Sequence, residues 1–460
     1  MSQTALAFAA DHRRENLEHL SDFLRIPSVS TQAMHRPDID RAAAWLVSRL
    51  QEAGLEHAQA MPTAGHPIVY AEWTGHGEKA PTLLIYGHYD VQPTDPEEEW
   101  LSPPFEPTIR AGNVYARGAS DDKGQLYTHI AAVEAFFRAG RQPPVNVKFI
   151  VEGEEEIGSP NLGFFIQQQA KRLACDTALI SDTAMLNADT PAIIYGVRGL
   201  SYAEIEIRGP KSDLHSGSYG GVAPNPLQAA VEILAALHDE QGRVTIPGFY
   251  DKVRPLSEKE RDSLARVPFD AQRFLREEIR APALWSGEAG YTPLERISAR
   301  PTLEIHGIAG GYTGEGGKTV IPARATIKLS MRLVPDQAPL EVFELLEQYV
   351  QQLAPPTVKV VTRLLSHADA AVIDQDTPAM RAAVRAYRNG FGAEPLFLRS
   401  GGTLPVVTIL YKNLHTPVVL MGFGLPDDNL HAPNEKLYLE NFYRGVDTSI
   451  YFMDELAQMP

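Results

Sequence analysis

At 460 residues, with 44% hydrophobic and 22% charged side chains, the chain has the composition of an ordinary globular protein long enough for more than one core. Its formal net charge of −16 argues against nucleic acid or an anionic membrane surface as a general partner. The lone Cys175 excludes an intrachain disulfide and a thiolate metal cage, so any metal must be held by His and carboxylates. No apolar run reaches membrane-spanning length, and the apolar N-terminal patch has no basic segment before it, so a cytoplasmic protein is expected.

In chain order, Leu17, Leu20 and Leu24 recur at helical spacing before Pro27, and Ile39, Ala43, Leu46 and Leu50 mark a second helix closed by Gly54. Residues 67–73 and 81–86 read as strands, the second running into Gly87, His88, Tyr89 and Asp90. Residues 93–110, rich in Pro and acid, read as a long surface loop. A Gly-bounded turn carrying Asp121 and Asp122 precedes a helix with Leu126, Ile130, Val133 and Phe137 on one face. A β-branched strand over 145–151 runs into Glu152, Gly153, Glu154, Glu155 and Glu156, and the apolar run from Thr177 ends at Asp182. Strands and helices thus alternate to about residue 197, the pattern of a doubly wound α/β sheet.

The character changes near Gly199. An alternating strand over 201–207, a helix capped by Asn225 with Pro226 in its first turn, strands over 302–308 and 323–333, a helix from Pro339 and a strand over 357–365 follow the split β-α-β-β-α-β order of a ferredoxin-like α+β domain. A less regular stretch, 241–300, interrupts it. We therefore read 1–198 as the first part of one domain, 199–369 as a second domain inserted into it, and 370–460 as the second part of the first, with a helix over 377–389 and strands over 395–398 and 417–421.

His88, the pair Glu155 and Glu156, and Asp182 each follow the end of a predicted strand, and open α/β sheets bind ligands at that edge. With Asp121 and His431 they supply two imidazoles and several carboxylates, a donor set for Zn²⁺ or similar ions. Five ligands (His88, Asp121, Glu156, Asp182, His431) exceed one tetrahedral site and suit two metals sharing a carboxylate, with Asp121 the natural bridge. Asp90, two residues beyond His88 on an extended backbone, is placed to orient that imidazole. Glu155 directly precedes Glu156; since neighbours in regular structure do not point at one metal, Glu155 is left as general base.

The runs GHYDVQP, YARGASDDKG, EGEEEIGS, LISD and HAPNE, in this order, resemble the di-zinc peptidase family of carnosinase, carboxypeptidase G, aminoacylase and succinyl-diaminopimelate desuccinylase. SDLHSG and HGIAGGYTGEGGKTVIP look most like its carnosinase-type dipeptidase branch. The resemblance spans nearly the whole chain. It implies the same five metal ligands with Asp121 as bridge, a cis bond between Asp121 and Asp122, Asp90 orienting the first His, and Glu155 as base. It also implies a homodimer in which His215 of the inserted domain steadies the oxyanion in the partner's site. Arg332 and Thr319 match groups near the substrate carboxylate, and Gly402 and Thr403 a loop that cradles substrate. Ser400 departs from the pattern: it stands where carnosinase-like enzymes place an acid near the substrate's amino end. The expected activity is hydrolysis of a dipeptide or similar small amide with a free carboxylate, using two divalent ions (Zn, with Mn or Co as alternatives). An N-acyl-amino-acid deacylase and a non-catalytic metal-binding protein are the competing readings.

Overall fold

Aliphatic and β-branched runs with few polar interruptions make strands buried on both faces, as parallel sheets require. The computed structural model describes residues 2–285 and 287–459. It divides into two units, one comprising Met1–Tyr195, Ile373–Leu398 and Pro405–Pro460, the other Gly196–Val372 and Arg399–Leu404. After helices Ser2–Asp11, Arg13–Leu24 and Arg36–Glu52, the first unit contains β1 (Glu56–Met61), β2 (Ile68–Trp73), β3 (Thr82–His88), α1 (Lys123–Arg138), β4 (Asn146–Glu152), β5 (Thr177–Ile180) and β6 (Ala192–Val197). The second contains β7 (Gly199–Arg208), α2 (Pro226–Ala235), β8 (Thr302–Gly310), β9 (Arg324–Leu333), α3 (Pro339–Leu353) and β10 (Lys359–Ala368). The first unit then resumes with α4 (Pro378–Phe391), β11 (Val418–Leu420) and α5 (Leu439–Leu456).

The sheet of the first unit runs β1-β2-β4-β3-β5-β11-β6. Its centre is parallel: β3 pairs with β4 and β5, and β11 with β5. His88 lies opposite Glu152, Tyr86 opposite Ile180, and Ile180 opposite Leu420, so four strands end level on one rim. Leu83, Ile85, Val147, Phe149 and Val151 pack with Leu126, Ile130 and Val133 of α1 in the main core. Nearly all of α1 is buried, because α5 covers the side that the sheet does not.

The second unit is an antiparallel sheet ordered β8-β9-β7-β10, the split β-α-β-β-α-β arrangement. Alternate residues Ala203, Ile205, Ile207, Ala325, Ile327, Leu329 and Met331 are buried with apolar residues of α2 and α3. The Asn225 side chain accepts the Leu227 N–H and caps α2, with Pro226 in its first turn. The stretch over 241–300 is more ordered than its pattern predicts. It holds helices Glu258–Ala265 and Pro293–Ala299, each opened by a capping box, Ser257 with Glu260 and Thr292 with Glu295.

One departure concerns a boundary and another concerns two helices. Arg399–Leu404, expected in the resumed first domain, groups with the second unit. The reason is polar: Arg399 pairs with Glu260 at 2.9 Å, Arg198 Nε donates to the Gly401 carbonyl at 2.9 Å, and Arg332 binds Thr403. The helix Pro405–Leu414 and the helix α5 are not read from the sequence pattern at all.

Gly124 opens α1 where any side chain would collide with the Ala119 carbonyl oxygen of the preceding turn. Ala normally gains about 1 kcal/mol over Gly inside a helix, but overpacking against fixed backbone costs about 1–3 kcal/mol. Gly124→Ala should therefore lower the chemical-denaturation midpoint of the first unit; an unchanged or raised midpoint would contradict this packing.

Candidate metal centre

His88 is the last residue of β3 and is fully buried. Its Nδ1 donates to the Asp90 carbonyl at 3.0 Å; a carbonyl only accepts, so the neutral ring keeps its proton there. Nε2 is thereby left to face the rim, 3.1 Å from Asp121 Oδ1 and 3.8 Å from Asp182 Oδ2. The Asp90 carboxylate lies 3.5 Å from the same Nδ1 and accepts the backbone N–H groups of Glu155 (3.2 Å) and Glu156 (3.1 Å). One residue thus braces both the His88 ring and the turn that carries the two glutamates.

That turn, Glu155–Ile157, is a single turn of 3₁₀ helix after β4. Glu156 Oε2 lies 3.2 Å from His431 Nε2 and accepts Gln92 Nε2 at 2.8 Å. His431 Nε2 is also 2.9 Å from Asp121 Oδ2. The two oxygens of Asp121 therefore meet two different imidazoles. The ligand atoms fall into two triads, His88–Asp121–Asp182 and Asp121–Glu156–His431, with all atoms of each within 4.8 Å of one another. The Asp121–Asp122 peptide is cis, and Asp122 Oδ2 accepts the His88 N–H at 3.2 Å.

The electrostatics are those of acids crowded out of water. Burial pushes Asp182 up to about 7, and Asp121 adds to the shift. Burial likewise pushes Glu155 well above the usual carboxylate range, with Asp182, Glu156 and Asp121 raising it further. Asp121 is the exception: burial raises it, but hydrogen bonds from His431 and His88 outweigh that and hold it low. The bonds to Asp121 and Glu156 raise His431 to about 10. For His88, burial works against the charge, yet the bonds to Asp121 and Asp90 lift its pKa well above the ordinary value. Two imidazoles with free Nε2 positions and three carboxylates, converging in two groups that share Asp121, fit a pair of divalent cations.

The remaining predicted residues belong to the second unit. His215 is exposed and pairs with Val320 in a two-residue ribbon, and the Thr319 carbonyl accepts the Ser216 N–H at 3.1 Å beside it. His215 Nδ1 accepts the Gly217 N–H at 3.0 Å, which leaves Nε2–H as donor in the neutral ring. Arg332 Nη1 donates to Thr403 Oγ1 at 2.7 Å, and Ser400 Oγ accepts the Gly402 N–H at 3.0 Å. The sequence reading passes over Gln92, Asp122, Asp428 and Glu435, which contact the ligand residues or the loops carrying them. Gln92, Asp122 and Glu435 lie inside the runs GHYDVQP, YARGASDDKG and HAPNE, so the signal was position within a motif.

This fold and donor set are those of a metallopeptidase of dipeptidase-like type acting on C–N amide bonds. The chain belongs to the peptidase family M20/M25/M40, whose model matches residues 84–455. It is 34% identical to the human Beta-Ala-His dipeptidase over 97% of this chain and 91% of that one. It is 32% identical to the Saccharomyces cerevisiae Cys-Gly metallodipeptidase DUG1 over 96% of this chain and 95% of the other. The solved structure of the M20 family metallo-carboxypeptidase Sso-CP2 from Sulfolobus solfataricus superposes with a TM-score of 0.86 at 34% identity, covering 97% of this chain and 100% of that chain. No helix among the described residues is long and apolar enough to cross a membrane.

At neutral pH the His431 imidazole, raised to about 10, holds a proton that an ion at Nε2 must displace. Zinc uptake near pH 7 should therefore release protons, and affinity should fall as pH drops below about 7, where Asp182 is protonated as well. Calorimetric zinc titrations in two buffers of different protonation enthalpy measure this; heats independent of buffer would refute it.

Proposed function

We propose that the chain is a dinuclear metal-dependent hydrolase that cleaves the amide bond of dipeptides or similar small amides with a free carboxylate. The observation that carries the reading is the division of Asp121, whose Oδ1 faces His88 and whose Oδ2 faces His431. His88 and Asp182 would hold one ion, Glu156 and His431 the other, and Asp121 both. Zinc suits these donors best, with manganese or cobalt as alternatives. When bound, such a pair polarises the scissile carbonyl and makes a water acidic near neutral pH.

The side chains divide the remaining work. Asp90 holds the His88 ring in its Nδ1–H form and fixes the backbone N–H groups of Glu155 and Glu156. Glu155 takes the proton of the attacking water as the C–O bond forms and gives it to the departing amine nitrogen as the C–N bond breaks. Its raised pKa suits both halves of that transfer. The second unit acts as lid and dimerisation domain. His215 donates its Nε2–H to the oxyanion of the partner subunit's reaction, Arg332 with Thr403 grips the substrate carboxylate, and Thr319 and Gly402 help to hold the substrate. The lone Cys175 accords with a reducing, cytoplasmic setting.

The relatives are named for β-Ala-His and Cys-Gly dipeptides, each with a free amine and a free carboxylate. A second reading, N-acyl-amino-acid deacylation, is favoured by Ser400, a neutral hydroxyl already engaged with Gly402. A purely metal-binding protein is disfavoured by Glu155, which a binder does not need beside its ligands.

Glu155→Gln should lower kcat by about 10²–10⁴ while metal content stays near normal, whereas Glu156→Gln should lose metal. Metal analysis alongside turnover separates the two, and near-normal turnover of Glu155→Gln would reverse the assignment. At the substrate's ends, a charge-assisted bond contributes about 1.5–3 kcal/mol. The enzyme should thus reject C-terminally amidated dipeptides strongly and N-blocked ones weakly. Arg332→Ala should reduce kcat/KM for free acids far more than for amides; equal cleavage of acid and amide by the unaltered enzyme would remove the carboxylate anchor.

A further inference from the structure

We propose that Glu435 and Asp428 form a positioning clamp that locks the loop carrying His431 onto the loop carrying Asp121, and so sets the Asp121–Glu156–His431 ion position selectively. The inference rests on the dinuclear reading above. Both carboxylates are fully buried. Glu435 Oε1 accepts the N–H groups of Ser120 (2.9 Å) and Asp121 (3.0 Å), and its Oε2 accepts Gly118 N–H (2.9 Å) and Arg117 Nη1 (2.8 Å). Asp428 Oδ2 accepts Ser120 Oγ–H at 2.8 Å and the Leu425 N–H at 2.7 Å, while its Oδ1 takes Lys436 Nζ at 2.9 Å. His431 lies between the two acids in sequence, so the clamp grips its loop on both sides.

The topology explains why this loop needs gripping and the other ligands do not. His88 sits in the sheet ladder, Asp182 follows β5 directly, and Asp122 ties the Asp121 loop to the His88 backbone. His431 follows β11, whereas its partner Glu156 follows β4, three strands away in the sheet. At about 4.8 Å per strand the loop must return roughly 14 Å across the rim. It does so with Asn429, His431 and Asn434 in left-handed backbone (φ 56°, 60° and 63°), a conformation that Asn adopts readily and that is less common for His. The His431 side chain is itself 54% exposed, so packing does little to hold it.

Glu435→Gln places an amide among N–H donors and should loosen the clamp. Ser120→Ala, which removes only the hydroxyl bound to Asp428, is the milder variant and decides the matter if the first does not fold. Zinc affinity is measured for each ion by chelator competition, with the apo protein's unfolding midpoint as the control for stability. The unaltered protein should bind two zinc ions. Glu435→Gln should weaken one of them by about 10–100-fold, as outer-shell carboxylates typically do, and leave the other within about threefold. Ser120→Ala should weaken the same ion to a smaller extent, and excess zinc should restore turnover in both variants. The affected ion should be the one abolished by His431→Ala. Two ions in the unaltered protein with equal loss, or no loss, in the folded variants would overturn the clamp alone. A single ion in the unaltered protein would overturn the dinuclear reading and the clamp with it.

Discussion

Desolvating several carboxylates along one sheet edge is the constraint to which the rest of the first unit answers. Buried acids repel one another and take up protons unless hydrogen bonds or cations hold them ionised. Asp90, Asp428 and Glu435 are held by backbone N–H groups and side-chain donors, and none of the three is needed as a ligand. Asp121, Glu156 and Asp182 instead have oxygens near the imidazoles. The lysine that follows these acids, Lys123, is turned away: its Nζ donates to the Phe23 and Ile26 carbonyls, and burial lowers its pKa to about 7. Its ammonium is thus kept off the rim, and among the described residues it is the imidazoles of His88 and His431 that approach the candidate ligand acids.

The sheet turns this requirement into geometry. Four parallel strands end level, so residues far apart in sequence reach one edge without long unsupported loops. α1 starts at Lys123, directly after Asp121 and Asp122, so its N-terminal dipole also faces the acids and favours their charge. Its burial fixes that end in place, because the helix packs along almost its whole length. In the first unit this edge carries the candidate ligand groups, and in the second an antiparallel sheet positions Arg332 at the end of β9 beside Thr403.

Much of this arrangement was legible because local pattern and tertiary role coincide. β3 reads as a strand from its apolar run and ends on His88, and α1 reads as a helix from Leu126, Ile130 and Val133. Where the two diverge, the pattern is silent. Pro405–Leu414 carries Val406, Val407, Thr408 and Ile409, residues that favour strands, yet it forms a helix with Val406, Val407 and Leu410 buried. α5 has no side-chain cap and includes aromatic and β-branched residues of modest helix propensity; packing against α1 and α4 stabilises it. The clamp was hidden for another reason. Glu435 is separated from Gly118 by more than three hundred positions, and apart from its place in the run HAPNE nothing local distinguishes a buried acceptor from a solvated one.

The two adjacent glutamates show how a small change in backbone type determines chemistry. In a strand, neighbours project to opposite faces, and one of Glu155 and Glu156 would be lost to the far side of the sheet. In a 3₁₀ turn, with three residues per turn, successive side chains diverge by about 120°, so both can remain on the rim without sharing a target. Glu156 thereby meets His431 and Gln92, and Glu155 stays beside the same acids with its pKa raised. Asp90 makes this geometry specific, because its two oxygens take the N–H groups of these two residues and of no others in the turn. A carboxylate bound to the backbone can thus hold one glutamate against an imidazole and direct its neighbour elsewhere, a distinction that the acidic run alone does not encode.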